Sequence, residues 1–344
     1  MTEISGLFAE AERQLVICNA CRYCEGYCAV FPALELRRSL TEGDIAHLAD
    51  LCHDCRDCYT ACMYAPPHEF AVDLPTMLSA VRRDNYDRYL PRLPGGRTVT
   101  MAVTAVGALA VLGSCAILGA GSSRVPGSPY RVIAYPALVT VACVAIGWGI
   151  AMTAVAAVRY WRGTGGRFTL PGLVDAMVAA ATLRNLRGGG ADCSYPGDDP
   201  SPWRRRLHQL VAGGFALCFA STVAAAISQD ILGYQPPYPV DSVPVLLGIL
   251  GGAGLTVGCA GLLVMKRDAA PVATTRRDYG LIVALLVLAI TGLLTLVLRD
   301  TDAFAPVLVI HLCAVMVSFA IFPYTKFVHV IYRFLALIHD SSER

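Results

Sequence analysis

The sequence has no G-x-G-x-x-G after a strand pattern and no P-loop. Those glycine turns bring backbone N–H groups to a dinucleotide or a triphosphate. Without them no flavin, nicotinamide or nucleotide site is visible. No signal-peptide pattern opens the chain: Met1 to Arg13 are polar and acidic, lacking a basic n-region and an apolar h-region. The expectation is that the N-terminal part stays in a reducing cytoplasm, where disulfides are rare. A net charge of +2 gives no footprint for nucleic acid, so none is expected as a partner.

What the chain does have is cysteine, fourteen in 344 residues. Eight fall in two runs, C-N-A-C-R-Y-C-E-G-Y-C and, 34 residues later, C-H-D-C-R-D-C-Y-T-A-C. Cys18, Cys21, Cys24 and Cys28 make the first set; Cys52, Cys55, Cys58 and Cys62 make the second. Both have the spacing C-x2-C-x2-C-x3-C of bacterial two-cluster ferredoxins. Three thiolates on one tight loop hold three irons of a cubane, and the fourth comes from the last Cys of the other run. By that rule one [4Fe–4S] cluster takes Cys18, Cys21, Cys24 and Cys62, and the other Cys52, Cys55, Cys58 and Cys28. Disulfides fit poorly, because the spacings are short and regular. Zinc favours paired C-x2-C spacings, not a triple run occurring twice. The pattern departs from ferredoxins at one point: no Pro follows Cys28 or Cys62, and Pro32 and Pro66 come four residues on.

Hydropathy divides the chain. Residues 1–97 are polar and charged and read as a two-cluster domain; residues 98–344 are mostly apolar. In the first part, 3–17 read as a helix leading into the first loop. Residues 33–50 read as one or two helices, with Thr41 and Asp44 as an N-cap pair and Leu34, Leu40, Ile45 and Leu48 as cluster cover. Residues 76–90 form a further helix, and Pro91 to Gly96 a linker. Six apolar segments follow, roughly Val99–Ala120, Val132–Val158, Leu210–Ile227, Val243–Met265, Tyr279–Leu298 and Ala303–Pro323. Each is near the ~20 residues that cross a hydrocarbon core of ~30 Å. The third is the shortest, extendable through Leu207 and His208. The fold class is therefore all-α: a ferredoxin-like helical domain followed by a six-helix transmembrane bundle.

Orientation follows from Lys and Arg. With the N-terminus inside, the inner segments 1–98, 159–208, 266–278 and 324–344 hold 25 of the 28 Lys and Arg. The outer loops hold only Arg124, Arg131 and Arg299. This predicts a multi-pass protein of the cytoplasmic membrane, with both termini and the cluster domain cytoplasmic. In the inner loop 159–208, residues 171–186 read as a helix at the interface or against the cluster domain. Gly188-Gly189-Gly190 read as linker.

Electrons leaving the clusters for the membrane need a carrier, and haem b between two histidines is the usual one. His47, His53 and His68 lie in the soluble part, and His339 in the tail. His53, between Cys52 and Cys55, either tunes a cluster or faces solvent. His208 opens the third membrane segment after Arg204, Arg205 and Arg206. His329 lies just past the sixth, near Lys326. Similar depth favours His208 with His329 for one haem, its propionates near those cations. His311, toward the outer end of the sixth segment, is a spare for a second haem or a quinone. An unbroken helix would put His311 and His329 on one face, ~27 Å apart, although Pro323 intervenes. The plainer alternative is that boundary histidines are simply interfacial; a His within a span is a functional candidate by default. Gly248, Gly252, Gly254 and Gly258 suit close helix packing or space for a porphyrin. Cys115, Cys143, Cys218, Cys259 and Cys313 read as small apolar residues.

These stretches resemble the tricarballylate/citrate utilisation protein B family and the C-terminal half of CobZ, nearly end to end. The most specific are residues 17–32, 51–70, R-R-R-L-H at 204–208, G-F-A-L-C-F-A-S-T at 214–222, and P-Y-T-K-F-V-H-V-I-Y-R-F at 323–334. The resemblance implies an electron-transfer subunit of an oxidoreductase, with no substrate site of its own. Its partner would be an FAD-dependent dehydrogenase that oxidises tricarballylate. Two iron–sulfur clusters and b-type haem would carry the electrons to the membrane quinone pool. Two alternatives remain: a membrane redox sensor or anchor without turnover, and the same relay serving a cobalamin-pathway or succinate-dehydrogenase-like donor.

Overall fold

The computed structural model describes residues 2–118, 125–187, 190, 192–194, 197, 199–267 and 276–344. Arg124, Gly188, Gly189, residues 268–275 and the side chain of Cys115 lie outside the described residues. Among the described residues there is no strand; one isolated bridge pairs Cys193 with Ser201.

The N-terminal region is built from α1 (Thr2–Cys21), α2 (Val30–Glu35), α3 (Glu42–Leu51), α4 (Asp57–Thr60) and α5 (Leu74–Arg88). α1 does not stop at residue 17. It carries Cys18 and Cys21 on its last turn, three residues apart and so on one face. Arg22 then takes a left-handed φ of 56° and turns the chain toward Cys24. Pro32 sits in the first turn of α2, where its missing N–H breaks no helical bond. α3 starts at a reciprocal cap: Asp44 N–H donates to Thr41 Oγ1 at 3.1 Å, and Thr41 N–H donates to Asp44 Oδ2 at 3.0 Å. α5 begins with Asp73 accepting from Thr76 N–H at 3.2 Å, and Pro75 fills its first turn.

The core under these helices includes Phe8, Leu15, Leu34, Ile45, Leu48, Leu51, Leu78 and Val81. Burying a side chain of this size is worth ~1.5–3 kcal/mol. The same core takes in Ala176 and Ala179 from α8 (Leu170–Thr182) and Ala336, Leu337 and Ile338 from α13 (His329–Glu343). α8 thus packs against α13 and the N-terminal region, while Leu170, Val174, Met177 and Val178 leave an exposed apolar face. The C-terminal tail is itself a helix and helps floor this core.

Among the described residues six helices are long and apolar enough to cross a membrane: α6 (Gly96–Leu118), α7 (Tyr135–Gly163), α9 (Trp203–Asp230), α10 (Val243–Arg267), α11 (Arg276–Val297) and α12 (Phe304–Ile321). Val106, Ile150 and Leu250 are each more than 60% exposed, which suits hydrocarbon and not water. These features are compatible with a multi-pass membrane protein. The third is not the shortest. α9 starts at Trp203 and runs 28 residues, so His208 lies inside the helix, not at its opening. α9 and α10 approach closely. A Cβ on Gly251 would meet Cys218 N at 2.7 Å, and one on Gly214 would meet Gly251 O at 2.8 Å. The space left by Gly248, Gly252, Gly254 and Gly258 is likewise filled by neighbouring helices, which favours the packing reading. The sixth helix breaks at Pro323: two short 3-10 turns follow, and α13 begins afresh at His329. His311 and His329 therefore share no single helix face.

Candidate metal centres beside the membrane

The two cysteine runs interlock. Cys18, Cys21 and Cys24 line one pocket with Cys62 and Cys58 of the second run, closed by Ile17, Phe31, Val72 and Leu74. Burial pushes the Cys18 thiol up to about 12, and Cys62, Cys24 and Cys21 add to it. Cys24 is pushed up to about 11 by burial, Cys62 and Cys21. Cys28 instead belongs with the second run. Burial raises it well above the ordinary thiol range, with Cys52 and Cys55 its largest charged neighbours. Cys58 is raised in the same way by burial, Cys28, Cys52 and Cys55. The last cysteine of each run thus stands with the other run.

Among the described residues, no group of three or more His, Cys, Asp or Glu closes tightly enough to hold a single metal ion. A cubane asks for something else. It spreads its four thiolates over four corners and supplies the positive charge that buried, mutually repelling thiolates require. The loops suit such a group: left-handed Asp54 (φ 52°) and Arg56 (φ 68°) flank Cys55 and turn the chain around it. Asp54 N–H points at Cys52 Sγ at 3.4 Å.

The second loop is tied down from several sides. His53 is 7% exposed, and its Nδ1 lies 2.8 Å from Leu51 O, so it does not face solvent. Arg82 of α5 donates to Ala49 O at 3.1 Å and also to Cys52 O. Arg333 of α13 donates to Cys52 O at 2.7 Å. Arg204 of α9 donates to Asp54 O at 2.5 Å and His53 O at 3.0 Å. Cys193, fully buried, donates through Sγ to Cys55 O at 3.3 Å, and Ser194 N–H donates to Asp57 Oδ1 at 2.8 Å. Sequence reasoning passed over Cys193, because it sits alone in a Pro- and Gly-rich loop with no spacing to mark it.

Below this loop lies a cavity of about 240 Å³, lined by His53, Arg204, His208, Lys326, His329 and Arg333 among others. His208 and His329 face each other there with ring centroids 6.4 Å apart and planes 30° from parallel. His329 Nδ1 is 2.5 Å from Lys326 O, which leaves Nε2 as the free nitrogen. Burial, with Arg333 and Lys326 close by, holds His329 well below the ordinary histidine pKa, so it is neutral at pH 7. The nearby cations already have protein partners: Arg205 with Asp192, Arg206 over Trp203, Lys326 with Asp278, and Arg204 on the loop carbonyls. His311 is elsewhere. Its Nδ1 lies 2.9 Å from Thr291 Oγ1, and its ring packs against Gly292 of α11.

Two family models match. The first, described as citrate utilization protein B, covers residues 99–344. The second, described as citrate utilization protein B Fer4-like domain, covers 11–88. The Escherichia coli citrate utilization protein B is 38% identical over 350 residues, covering 98% of this chain and 92% of its own. The chain belongs to the citrate utilization protein B family. Its fold is all-helical, with an N-terminal Fer4-like domain, a type that points to iron–sulfur clusters, and six long apolar helices. No solved structure matches.

Proposed function

We propose that this chain is a membrane-bound electron-transfer subunit. It reoxidises a partner flavoprotein dehydrogenase of the tricarballylate or citrate type and delivers the electrons to quinone. One observation carries the reading: Cys62 stands with the first cysteine run and Cys28 with the second, the exchange that two cubane clusters demand. Cys18, Cys21, Cys24 and Cys62 would hold one [4Fe–4S] cluster; Cys28, Cys52, Cys55 and Cys58 would hold the other. Bound there, the clusters supply one-electron redox chemistry that the side chains lack. The protein surrounds them with apolar cover, orients the thiols and keeps water from the second loop.

His208 and His329 are the pair for haem b. Two imidazoles that held one iron between them would have centroids about 6.2 Å apart, from ~2.0 Å of metal–nitrogen bond and ~1.1 Å from nitrogen to ring centre on each side. The 6.4 Å between these rings suits that, and Lys326 O fixes the His329 tautomer. The neutral state of His329 suits a ligand too. His311, hydrogen-bonded to Thr291, serves as a packing residue in this reading. The cluster domain and both termini lie on the cytoplasmic side, following the Lys and Arg distribution. The domain division at residues 97/98 separates the cluster region from the haem and quinone region.

The test is the reduced-minus-oxidised optical spectrum of anaerobically purified protein in detergent, with haem supplied during expression. The expected result is a broad iron–sulfur bleach with a sharp low-spin b-type band above it. No bleach and no bound iron would overturn the cluster reading. A bleach without the sharp band would remove the haem and return His208 and His329 to structural or quinone-binding roles.

A further inference from the structure

Beside the break at Pro323 lies a second cavity, of about 480 Å³, between α6, α7 and the end of α12. That volume is in the range of small-molecule sites. On α6 the cavity runs from Thr100 to Val111, ~16 Å of helix. Its walls are mostly apolar, and Gly107 leaves it wide: a Cβ there would meet nothing within 4 Å. Pro91, Arg92 and Leu93, from the linker after α5, mark its mouth at the end nearer the cluster domain.

Two hydroxyls in this apolar space have nothing to bond among the described residues. Tyr324 is only 2% exposed and lines the cavity, yet its hydroxyl makes no hydrogen bond and is not sealed from open space. Thr100, Thr140 and Thr256 return their hydroxyls to their own helices at 2.8 Å. Thr104, ~12 Å along α6 from Gly96, makes no such bond and lines the cavity instead. Trp148 joins them thirteen residues from one end of α7 and fifteen from the other, although tryptophan favours the membrane interfaces. Polar groups without partners are costly where no water reaches. The occupant must therefore be apolar along its length and bring acceptors to a level below the mouth. A phospholipid brings hydrocarbon there, but its acceptors stay at the headgroup, beside Arg92. An isoprenoid quinone brings both, a hydrocarbon tail and a ring with two carbonyl oxygens.

We propose that this cavity binds the ring of an isoprenoid quinone, with Tyr324 and Thr104 donating to its carbonyl oxygens and Trp148 flanking it. The inference rests on the electron-transfer reading above and gives that relay the place where it ends. The site is close to the facing histidines. Tyr324 packs with Val328 and Tyr332, and His329 follows it by five residues, at most ~18 Å along even an extended chain. Two electrons from the partner's reduced flavin and two protons from water at the mouth convert the quinone to its quinol, each carbonyl oxygen becoming a hydroxyl.

The experiment uses the full-length protein in detergent, as wild type and as Gly107→Leu, Tyr324→Phe, Thr104→Val and Trp148→Phe, with decyl-ubiquinone and menadione as probes. Saturable quenching of tryptophan fluorescence reads binding, and it does so whatever the iron content. Reoxidation of the anaerobically reduced protein, followed by its iron–sulfur absorbance, reads electron delivery. The expected result is a saturable quench that Trp148→Phe cuts by at least half. Gly107→Leu, whose side chain fills the cavity, weakens binding at least tenfold. Tyr324→Phe and Thr104→Val each weaken it about fivefold, the loss of one hydrogen bond, and reoxidation at low quinone slows in step. Wild type that neither binds nor is reoxidised by either probe overturns the quinone reading itself. Wild type that is reoxidised, with Gly107→Leu at the same rate and affinity, overturns this site and leaves the relay standing; phospholipid lost from that variant on purification would then mark a lipid seat. Should Gly107→Leu not fold, the Thr104→Val, Tyr324→Phe double variant decides: binding at least tenfold weaker supports the proposal, and unchanged binding overturns it.

Discussion

The two cysteine runs have the same spacing and very different surroundings. In the first, Cys21 is exposed, and Tyr23 and Met63 on the pocket rim are each about 60% exposed. In the second, Cys52 and Cys55 are buried, and Arg82, Arg204, Arg333 and Cys193 all bond the loop. Motif spacing decides which group can be held. What packs around the motif decides whether that group meets solvent or the membrane helices. On the proposed function, the first set is where electrons enter and the second is where they leave.

The largest expected effect comes from removing a ligand of the enclosed set. Cys55→Ser should halve bound iron, leave the signal of the first cluster, and abolish flavin-to-quinone electron flow while membrane insertion is retained. Iron analysis with a quinone-reduction assay checks it, and full quinone reduction would sink the ligand assignment. Next, His208→Ala should cost the b-type band entirely, whereas His311→Ala should keep it and lose only the Thr291 hydrogen bond, ~1 kcal/mol. Unchanged haem in His208→Ala, with loss in His311→Ala, would transfer the ligand role. A third test sharpens the contrast in exposure. Limited ferricyanide should bleach the iron–sulfur absorbance in two phases, the first removing the cluster of Cys18, Cys21, Cys24 and Cys62. A single phase would mean the second set is as accessible as the first.

The smallest effect concerns what supports the second set. His47 on α3 is fully buried, both its ring nitrogens lack partners, and its ring lies tilted against that of His339 of α13, centroids 4.3 Å apart. Burial, with His339 and Arg37 nearby, holds its pKa well below 6.5. The unfolded chain therefore binds a proton that the folded chain refuses. His47 supports stability fully above pH 6.5, and that support is lost as pH falls further. Thermal unfolding should show a drop between neutral and mildly acidic pH that His47→Leu flattens. An unchanged pH profile in that variant would exclude His47 as the source.

Much of the fold was legible because its signals are local. The Thr41–Asp44 cap, the helix into the first cysteine run and the six apolar segments each follow from residues within a turn or two of one another. The errors had local causes as well. The hydropathy of α9 fades through Trp203 to Arg206, so its polar first turn carries no apolar signal of a span. Pro323 marked a break whose completion no pattern could measure. Cys193 and α13 were harder to read: a lone cysteine has no spacing, and the amphipathic tail after Pro323 gains its helix by packing on α3 and α8.

The sequence by itself determined the two cysteine runs and their spacing, the six apolar helices and the clustering of Lys and Arg in alternate connecting segments, because spacing, hydropathy and charge are properties of neighbours along the chain. Only the tertiary structure decided which cysteine run is open and which enclosed, that His208 and His329 face each other while His311 turns to Thr291, and that Arg204 and Arg333 close on one loop. Those contacts join residues up to 281 positions apart. They exist because α13 buries its apolar face against α3 and α8 while α9 packs along α10, and that packing carries their histidines and arginines to one place.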